Sequence, residues 1–283
     1  MTLIFVHIPR TAGTTLNYVM NRQYGPGQIY SIYTTDILGG MNAFRALPRT
    51  DRLRFKLIRG HVYYGLHPSV DGPSSYITFL RDPIDRAISD YLFTKIDTYN
   101  PLSDVLVKRK LTLKEYVESG VSVWTDNVQT RLLAGEAGTE QATPFGQCTD
   151  ELLGRAKANL DSHFGLVGLS EKFDESSLLG RQMFGWNNCY YVRKNAIQNR
   201  MPKSEIAGDT LATLQQFNRL DIALYEHCKK QLDELIHESG PEFRRELQIF
   251  RSQNRYAGPV ITYLHAAKRR FNALLGKPVH RAH

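Results

Sequence analysis

The residues best suited to chemistry stand near the start of the chain, in Pro9-Arg10-Thr11-Ala12-Gly13-Thr14-Thr15, directly after the apolar run Leu3 to His7. A strand, a turn of small and hydroxyl residues, then a helical pattern through Leu16, Val19 and Met20 would turn several backbone N–H groups and a helix N-terminus toward one anion. Arg10 adds a cation, and Gly13 lets the backbone come close. These residues describe a cradle for the reactive end of a nucleotide. The cradle departs from a Walker A loop, because Pro9 stands where the first glycine belongs and Thr14 where the lysine belongs. A Mg²⁺-dependent phosphoryl transferase also wants an acid at the end of a second strand. Of the strand ends Arg59-Gly60-His61 and Arg81-Asp82-Pro83, only the second carries one, Asp82, and it lies beside Arg81. Phosphoryl transfer with a metal is therefore disfavoured, and no metal requirement is expected.

His61 is the candidate base. It follows Gly60 at a strand end, the edge at which sites of α/β sheets gather, and an imidazole near neutral pH suits a hydroxyl proton. His7 is read as a structural residue of the first strand and His67 as a loop residue before Pro68. Asp36, in a loop region, is the alternative carboxylate base.

The elements that must position these groups are legible in outline. Phe55 to Ile58, Tyr76 to Leu80 and Phe164 to Leu169 read as further strands. Pro83 opens a helix with Ile84, Ala87, Ile88, Tyr91 and Leu92 on one face. Gly25 to about Arg54 reads as loop, and Leu111 to Gly135 as helical. Thr149 is the expected N-cap of a helix reaching Leu160. A helix through Phe173 and Met183 closes at Gly185, and Asp209 to Ser239 forms another. Strands alternating with helices predict an α/β fold: a three-layer, P-loop-like arrangement with a central, mainly parallel sheet flanked by helices and a helix-rich C-terminal half.

Hydrophobic content of 42% and charged content of 23% are those of a soluble globular chain. Three distant cysteines suggest reduced thiols. No apolar run approaches the roughly 20 residues of a membrane span. Met1-Thr2-Leu3 leads straight into the first strand without a basic leader, so a cytoplasmic location is expected. The net charge of +8 resides in the tail. Seven of the 36 Lys and Arg lie from Arg251 onward, where there is no acid, which leaves 29 basic against 28 acidic residues before it. Residues 1–250 are expected to form one catalytic domain and 251–283 a basic, partly helical tail. Such a tail suits an anionic substrate, an anionic membrane surface or a partner, or else a solvated helix face. No nucleic-acid-binding module is recognised, and no nucleic-acid partner is expected.

The Pro-Arg-Thr-Ala-Gly-Thr-Thr loop resembles the 5′-phosphosulfate loop of sulfotransferases that use 3′-phosphoadenosine 5′-phosphosulfate (PAPS). Phe79-Leu80-Arg81-Asp82-Pro83-Ile84-Asp85-Arg86-Ala87-Ile88-Ser89-Asp90-Tyr91 is similar to their 3′-phosphate strand and helix. Weaker similarity extends through Val167 to Asp174 and Arg193-Lys194-Asn195, so that the resemblance runs from Leu3 to about Glu238. The Phe-Val-His-Ile-Pro start and the Gly60-His61-Val62 segment look most like the glycosaminoglycan O-sulfotransferase branch that includes the heparan sulfate 2-O enzymes.

The resemblance implies a PAPS donor held by Arg10, Thr11, Ala12, Gly13, Thr14 and Thr15 at its 5′ end and by Arg81 and Ser89 at its 3′-phosphate. Arg193 and Lys194 would approach from a late loop. Arg81 would supply a guanidinium fork and Ser89 a hydroxyl about two helical turns on, with Arg86 in reserve. His61 matches the Gly-His position of the 2-O-type enzymes and is the implied base, with Arg10 stabilising charge on the leaving phosphate. The family usually has lysine where this chain has Arg10. The implied acceptor is a hydroxyl, foremost on a carbohydrate. A tyrosine or small-metabolite acceptor, or a nucleotide-binding protein without transfer activity, would share the same loop. The polar run Asn127, Gln129 and Arg131 reads as scaffold, with at most one acceptor contact. Tyr63, Tyr64, Tyr91 and Tyr99 are candidate stacking surfaces for a sugar.

Overall fold

A computed structural model describes residues 1–97, 100–192 and 202–256. Tyr99, Arg193, Lys194, Asn195 and the chain from 257 onward lie outside the described residues. Five strands, β1 (Thr2–Val6), β2 (Ile29–Ile32), β3 (Leu57–Gly60), β4 (Ser74–Leu80) and β5 (Phe164–Leu169), pair in the order β2-β3-β1-β4-β5. Every pairing is parallel. Parallel strands are covered on both faces and need continuous apolar runs, which is why Leu3, Ile4, Phe5 and Val6 are all buried. Val6 stands level with Gly60 on one side and Thr78 on the other, so the loops after β1, β3 and β4 open along one edge. The connection leaving β1 runs to one side of the sheet and that leaving β4 to the other. Their diverging ends form the crevice in which ligands of such sheets bind.

The helices follow as α1 (Gly13–Met20), α2 (Ile37–Arg45), α3 (Arg49–Arg52), α4 (Pro83–Ile96), α5 (Pro101–Lys108), α6 (Leu113–Glu118), α7 (Val128–Ala134), α8 (Asp150–His163), α9 (Phe173–Phe184), α10 (Gly208–Phe217) and α11 (Arg219–Glu238). A last helix covers 240–256. It runs through position 250 without a break: Phe243, Leu247 and Phe250 are buried in the main core, and Arg251 pairs with Asp174 and Glu175. A second, smaller core joins Ile84, Ile88 and Tyr91 of α4 to Leu106, Tyr116 and Leu214. In the main core, the fully buried Phe79 packs on Phe173; truncating it to Ala costs about 3–5 kcal/mol.

The α/β expectation holds, and several elements differ from their sequence reading. The stretch read as loop from Gly25 to Arg54 contains β2 and α2. β2 is a four-residue edge strand with one buried side chain, so it shows no apolar run. α2 carries Gly39-Gly40, which lowers helix propensity, and is started by Asp36, whose carboxylate accepts from Gly39 N at 2.8 Å. The helical pattern from Leu111 to Gly135 resolves into α6 and α7, separated by a turn at 119–127. The helix expected from Asp209 to Ser239 is likewise two, meeting at the buried Asn218. Thr149 stands at the start of α8 without a side-chain capping bond.

Candidate active site

The opening loop takes its shape from two residues in left-handed conformation, Arg10 at φ 69° and Ala12 at φ 65°. Neither is glycine, and such geometry costs an ordinary residue about 1–3 kcal/mol, a strain concentrated at functional sites. Ala12 is the N-cap of α1 but offers no capping side chain, and the first turn carries no acid. The positive end of α1 thus has no acidic side chain of its own first turn, a setting that favours a bound anion. Thr11 faces inward: it is fully buried, and its hydroxyl donates to the Ile8 carbonyl at 2.8 Å. Gly13 is required by its neighbour, because a Cβ there would stand 2.0 Å from the His7 ring.

The two motifs, some 70 residues apart in the chain, meet at this loop. Arg10 Nε donates to Ser89 Oγ at 3.1 Å, and Arg81 Nη1 donates to the Arg10 carbonyl at 3.0 Å. The Arg10 guanidinium also lies 4.2 Å from the centre of the Phe93 ring, a stacking that a lysine ammonium could not make in the same planar way. Burial, with Arg81 and Arg86 nearby, lowers the Arg10 pKa to about 10 against the opposing pull of Asp90. Arg10 is therefore still charged at neutral pH, in a setting that lacks enough negative charge. An anion bound here would supply it.

Arg81 is held by a residue the sequence reading assigned to scaffold. The fully buried Gln129 of α7 accepts from Arg81 N at 3.0 Å and donates to the Arg81 carbonyl at 2.9 Å. Asp221 in turn accepts from the amides of Gln129 and Thr130 at 3.0 and 2.7 Å, capping α7. Asn127 and Arg131 are buried as well: Asn127 caps α11 through Leu220 N, and Arg131 is bound by Asp126. The run is scaffold, and Gln129 is the member that reaches the site. Nothing in the polar run Gln129-Thr130-Arg131 marks it out in the sequence, because its partner Arg81 is 48 residues away in the chain.

Arg86, read as the reserve donor, lies inside the fold. It is fully buried, with Nη2 donating to the Trp124 carbonyl at 2.7 Å and with Nε and Nη1 lacking hydrogen-bond partners among the described residues. Its position along the helix places it on the inner face of α4. Asp82 is likewise occupied, accepting from Asp85 N at 2.9 Å as the cap of α4 and pairing with Lys203 at 2.6 Å.

His61 stands where the sequence placed it, past the end of β3. Gly60 lets the chain pass there, at φ 152°, where a Cβ would lie 1.9 Å from the Ile32 carbonyl oxygen. His61 Nδ1–H donates to the His7 carbonyl at 2.7 Å, which makes Nε2 the basic nitrogen of the neutral ring. Its ring packs edge-on against Trp124 at 5.4 Å and Tyr33 at 5.1 Å, and tilts against His7 at 4.7 Å. His7, just past β1, is buried with its pKa held well below the usual histidine value, first by desolvation, then by His61, Arg59 and Arg10. The other two base candidates, Asp36 past the end of β2 and His67, are engaged elsewhere. Asp36 is exposed and caps α2. His67 sits near the start of the strands, with Nδ1 3.1 Å from the Tyr76 hydroxyl and its ring 4.5 Å from His163. Tyr91 is buried and donates to the Leu111 carbonyl, so it is no platform for a sugar. The sequence reading missed Tyr33, Asn17 and Trp124, which reach the site from a strand end, a helix and a short turn with no shared motif.

A family model described as galactose-3-O-sulfotransferase matches residues 46–261, a stretch that contains His61, Arg81 and Ser89 and begins after the opening loop. The heparan-sulfate 6-O-sulfotransferase 1 of Homo sapiens is 25% identical over 217 residues, covering 68% of this chain and 50% of that protein. The chain thus spans about half the length of the curated relative it matches. Both are named as O-sulfotransferases, for galactose O3 and for heparan sulfate O6; neither is of the 2-O type that the Gly60-His61-Val62 segment suggested.

Proposed function

Because the chain belongs to the galactose-3-O-sulfotransferase family, we propose that it moves a sulfuryl group from PAPS to a sugar hydroxyl, with His61 accepting the hydroxyl proton. The observation that carries this reading is the convergence of Arg10, Arg81 and Ser89 beside the residue whose carbonyl receives His61 Nδ1–H. The uncapped start of α1 with Arg10 fits one phosphate, and Arg81 with Ser89 fits a second, as a donor with separate 5′ and 3′ phosphates requires. When bound, the donor supplies an activated sulfuryl group.

This chain's part is positioning and charge. Arg10 and the α1 amides hold and neutralise the leaving 5′-phosphate. Arg81, its backbone fixed by Gln129, sets the register of the adenosine end with Ser89. His61 Nε2 takes the acceptor proton, and Trp124 and Tyr33 fix the plane of its ring. The basic chain from Arg251 onward is proposed to meet an anionic acceptor.

The test is transfer of labelled sulfate from PAPS to a panel of galactose-terminated glycans, heparan sulfate, tyrosine peptides and phenols. Incorporation into a glycan, abolished in His61→Ala, supports the reading. Label on peptide or phenol alone moves the acceptor class, and no label on any acceptor contradicts it.

A further inference from the structure

Two histidines stand ring to ring at the transfer edge, and the hydrogen bonds around them run in a determined direction. Arg59 of β3 can only donate, and its Nη1 lies 3.3 Å from Asn17 Oδ1. That contact turns the Asn17 amide so that Nδ2 donates to the Tyr33 hydroxyl oxygen at 2.5 Å. The other neighbour of that hydroxyl is Nδ1 of His7, at 3.0 Å. With an amide donor on one side, the Tyr33 O–H has His7 Nδ1 as its acceptor, and the proton of a neutral His7 falls on Nε2. The Nε2 edge of His7 lies against Gly13 in the anion loop. On the opposite ring, the bond to the His7 carbonyl puts the proton of neutral His61 on Nδ1.

We infer that Arg59, Asn17 and Tyr33 form a positioning relay that locks His7 in its neutral Nε2–H form, so that the two adjacent histidines hold opposite tautomers and only His61 changes charge during transfer. The inference rests on the reading of His61 as the base. Two imidazolium rings 4.7 Å apart would repel, and one neutralised by its surroundings leaves the other free to titrate. Among the described residues, the groups facing His7 act in this direction, His61 included. Phe5 stacks on it at 5.2 Å, Tyr33 donates to it, and the nearby charges, Arg59 and Arg10, disfavour a further positive charge. An anion seated in the loop then meets an N–H donor of His7 rather than a lone pair. Tyr33 itself keeps its proton, because burial raises its pKa.

The experiment is long-range ¹H–¹⁵N correlation of the imidazole nitrogens in the full chain between about pH 5 and 8, the range in which ordinary histidines titrate. His7 is expected to show a protonated Nε2 and an unprotonated Nδ1 throughout, with His61 gaining a second proton as pH falls. A His7 proton on Nδ1, or a His7 that titrates with His61, overturns the inference. Asn17→Asp supplies the converse. A carboxylate would accept from Tyr33 O–H, leave the phenol oxygen to accept from His7, and move the His7 proton to Nδ1. Its donor KM is expected to rise about fivefold to tenfold, the worth of one hydrogen bond, because the anion then meets a lone pair on His7 Nε2. A tautomer unmoved in a folded Asn17→Asp protein contradicts the relay; if that variant does not fold, the wild-type spectrum decides alone. The spectra need no turnover, so they stand apart from the base assignment, which fails if His61→Ala retains transfer.

Discussion

Among the described residues two pairs of histidines lie ring to ring at a tilt, and they differ in which end of the sheet they occupy. His7 and His61 lie past the ends of β1 and β3, 4.7 Å apart, while His67 and His163 lie before the starts of β4 and β5, 4.5 Å apart. Each pair is bonded to tyrosine hydroxyls: Tyr33 in the first, Tyr76 and Tyr64 in the second. At the strand starts the tyrosine completes structure, because the Tyr76 hydroxyl accepts from the amides of Gly65, Leu66 and His67. At the strand ends the same residue types adjoin two left-handed backbone positions, an uncapped helix and three arginines. Paired imidazoles near tyrosines are thus not in themselves a site. Placement at the C-terminal edge of a parallel sheet, where ligands of such sheets bind, is what separates the first pair from the second and underlies the proposal that only the first takes part in chemistry.

Six substitutions bear on that contrast and form four tests, in decreasing size. His61→Ala is expected to lower the transfer rate by about 10²- to 10⁴-fold, the usual contribution of a positioned base. His163→Ala, at the other end of the sheet, should leave the rate per folded molecule within about twofold. Equal losses in both would dissolve the comparison. Arg81→Ala should weaken donor binding, read by calorimetry, by about 10- to 100-fold, since a charged hydrogen bond to phosphate is lost.

Gln129→Ala and Tyr76→Phe each leave backbone amides without their partners and should cost about 1–3 kcal/mol in urea unfolding. Only Gln129→Ala should also weaken donor binding, because only that residue supports Arg81. The smallest effect is one of pH. His7 is neutral in the fold and protonates more readily when unfolded, so the unfolded state binds the extra proton. Its contribution to stability is present above the unfolded value of 6.5 and is lost as pH falls below it, by at most about 1.4 kcal/mol per pH unit. Unfolding free energies of wild type and His7→Gln, measured from neutral to acid pH, should converge as the pH drops.

How far the sequence foretold this arrangement depends on the range of the interactions involved. The loop at Arg10, the strand and helix carrying Arg81 and Ser89, and His61 after Gly60 are local motifs, and their order along β1, β3 and β4 brings them to one edge of a parallel sheet. The edge strand β2 escaped notice because a half-exposed four-residue strand has no apolar run, and α2 because its glycines argue against helix. The backbone strain at Arg10 belongs to conformation, which no residue type announces. Gln129 and the Asn17–Tyr33–Arg59 set were illegible for another reason: they act through hydrogen bonds between segments far apart in the chain. Arg86 is a cation at motif spacing whose burial no local pattern announces.

The central claim is that Arg10, Arg81 and Ser89 form a single donor site reading two phosphates. Thermal unfolding of the full chain with adenosine 3′,5′-bisphosphate, and separately with ADP and Mg²⁺, tests it most directly. The account predicts stabilisation by the 3′,5′-bisphosphate, about 2.7 kcal/mol at a hundredfold excess over its Kd, with little from ADP and a loss of the effect in Arg81→Ala. Equal stabilisation by both nucleotides, or none by either, would contradict it.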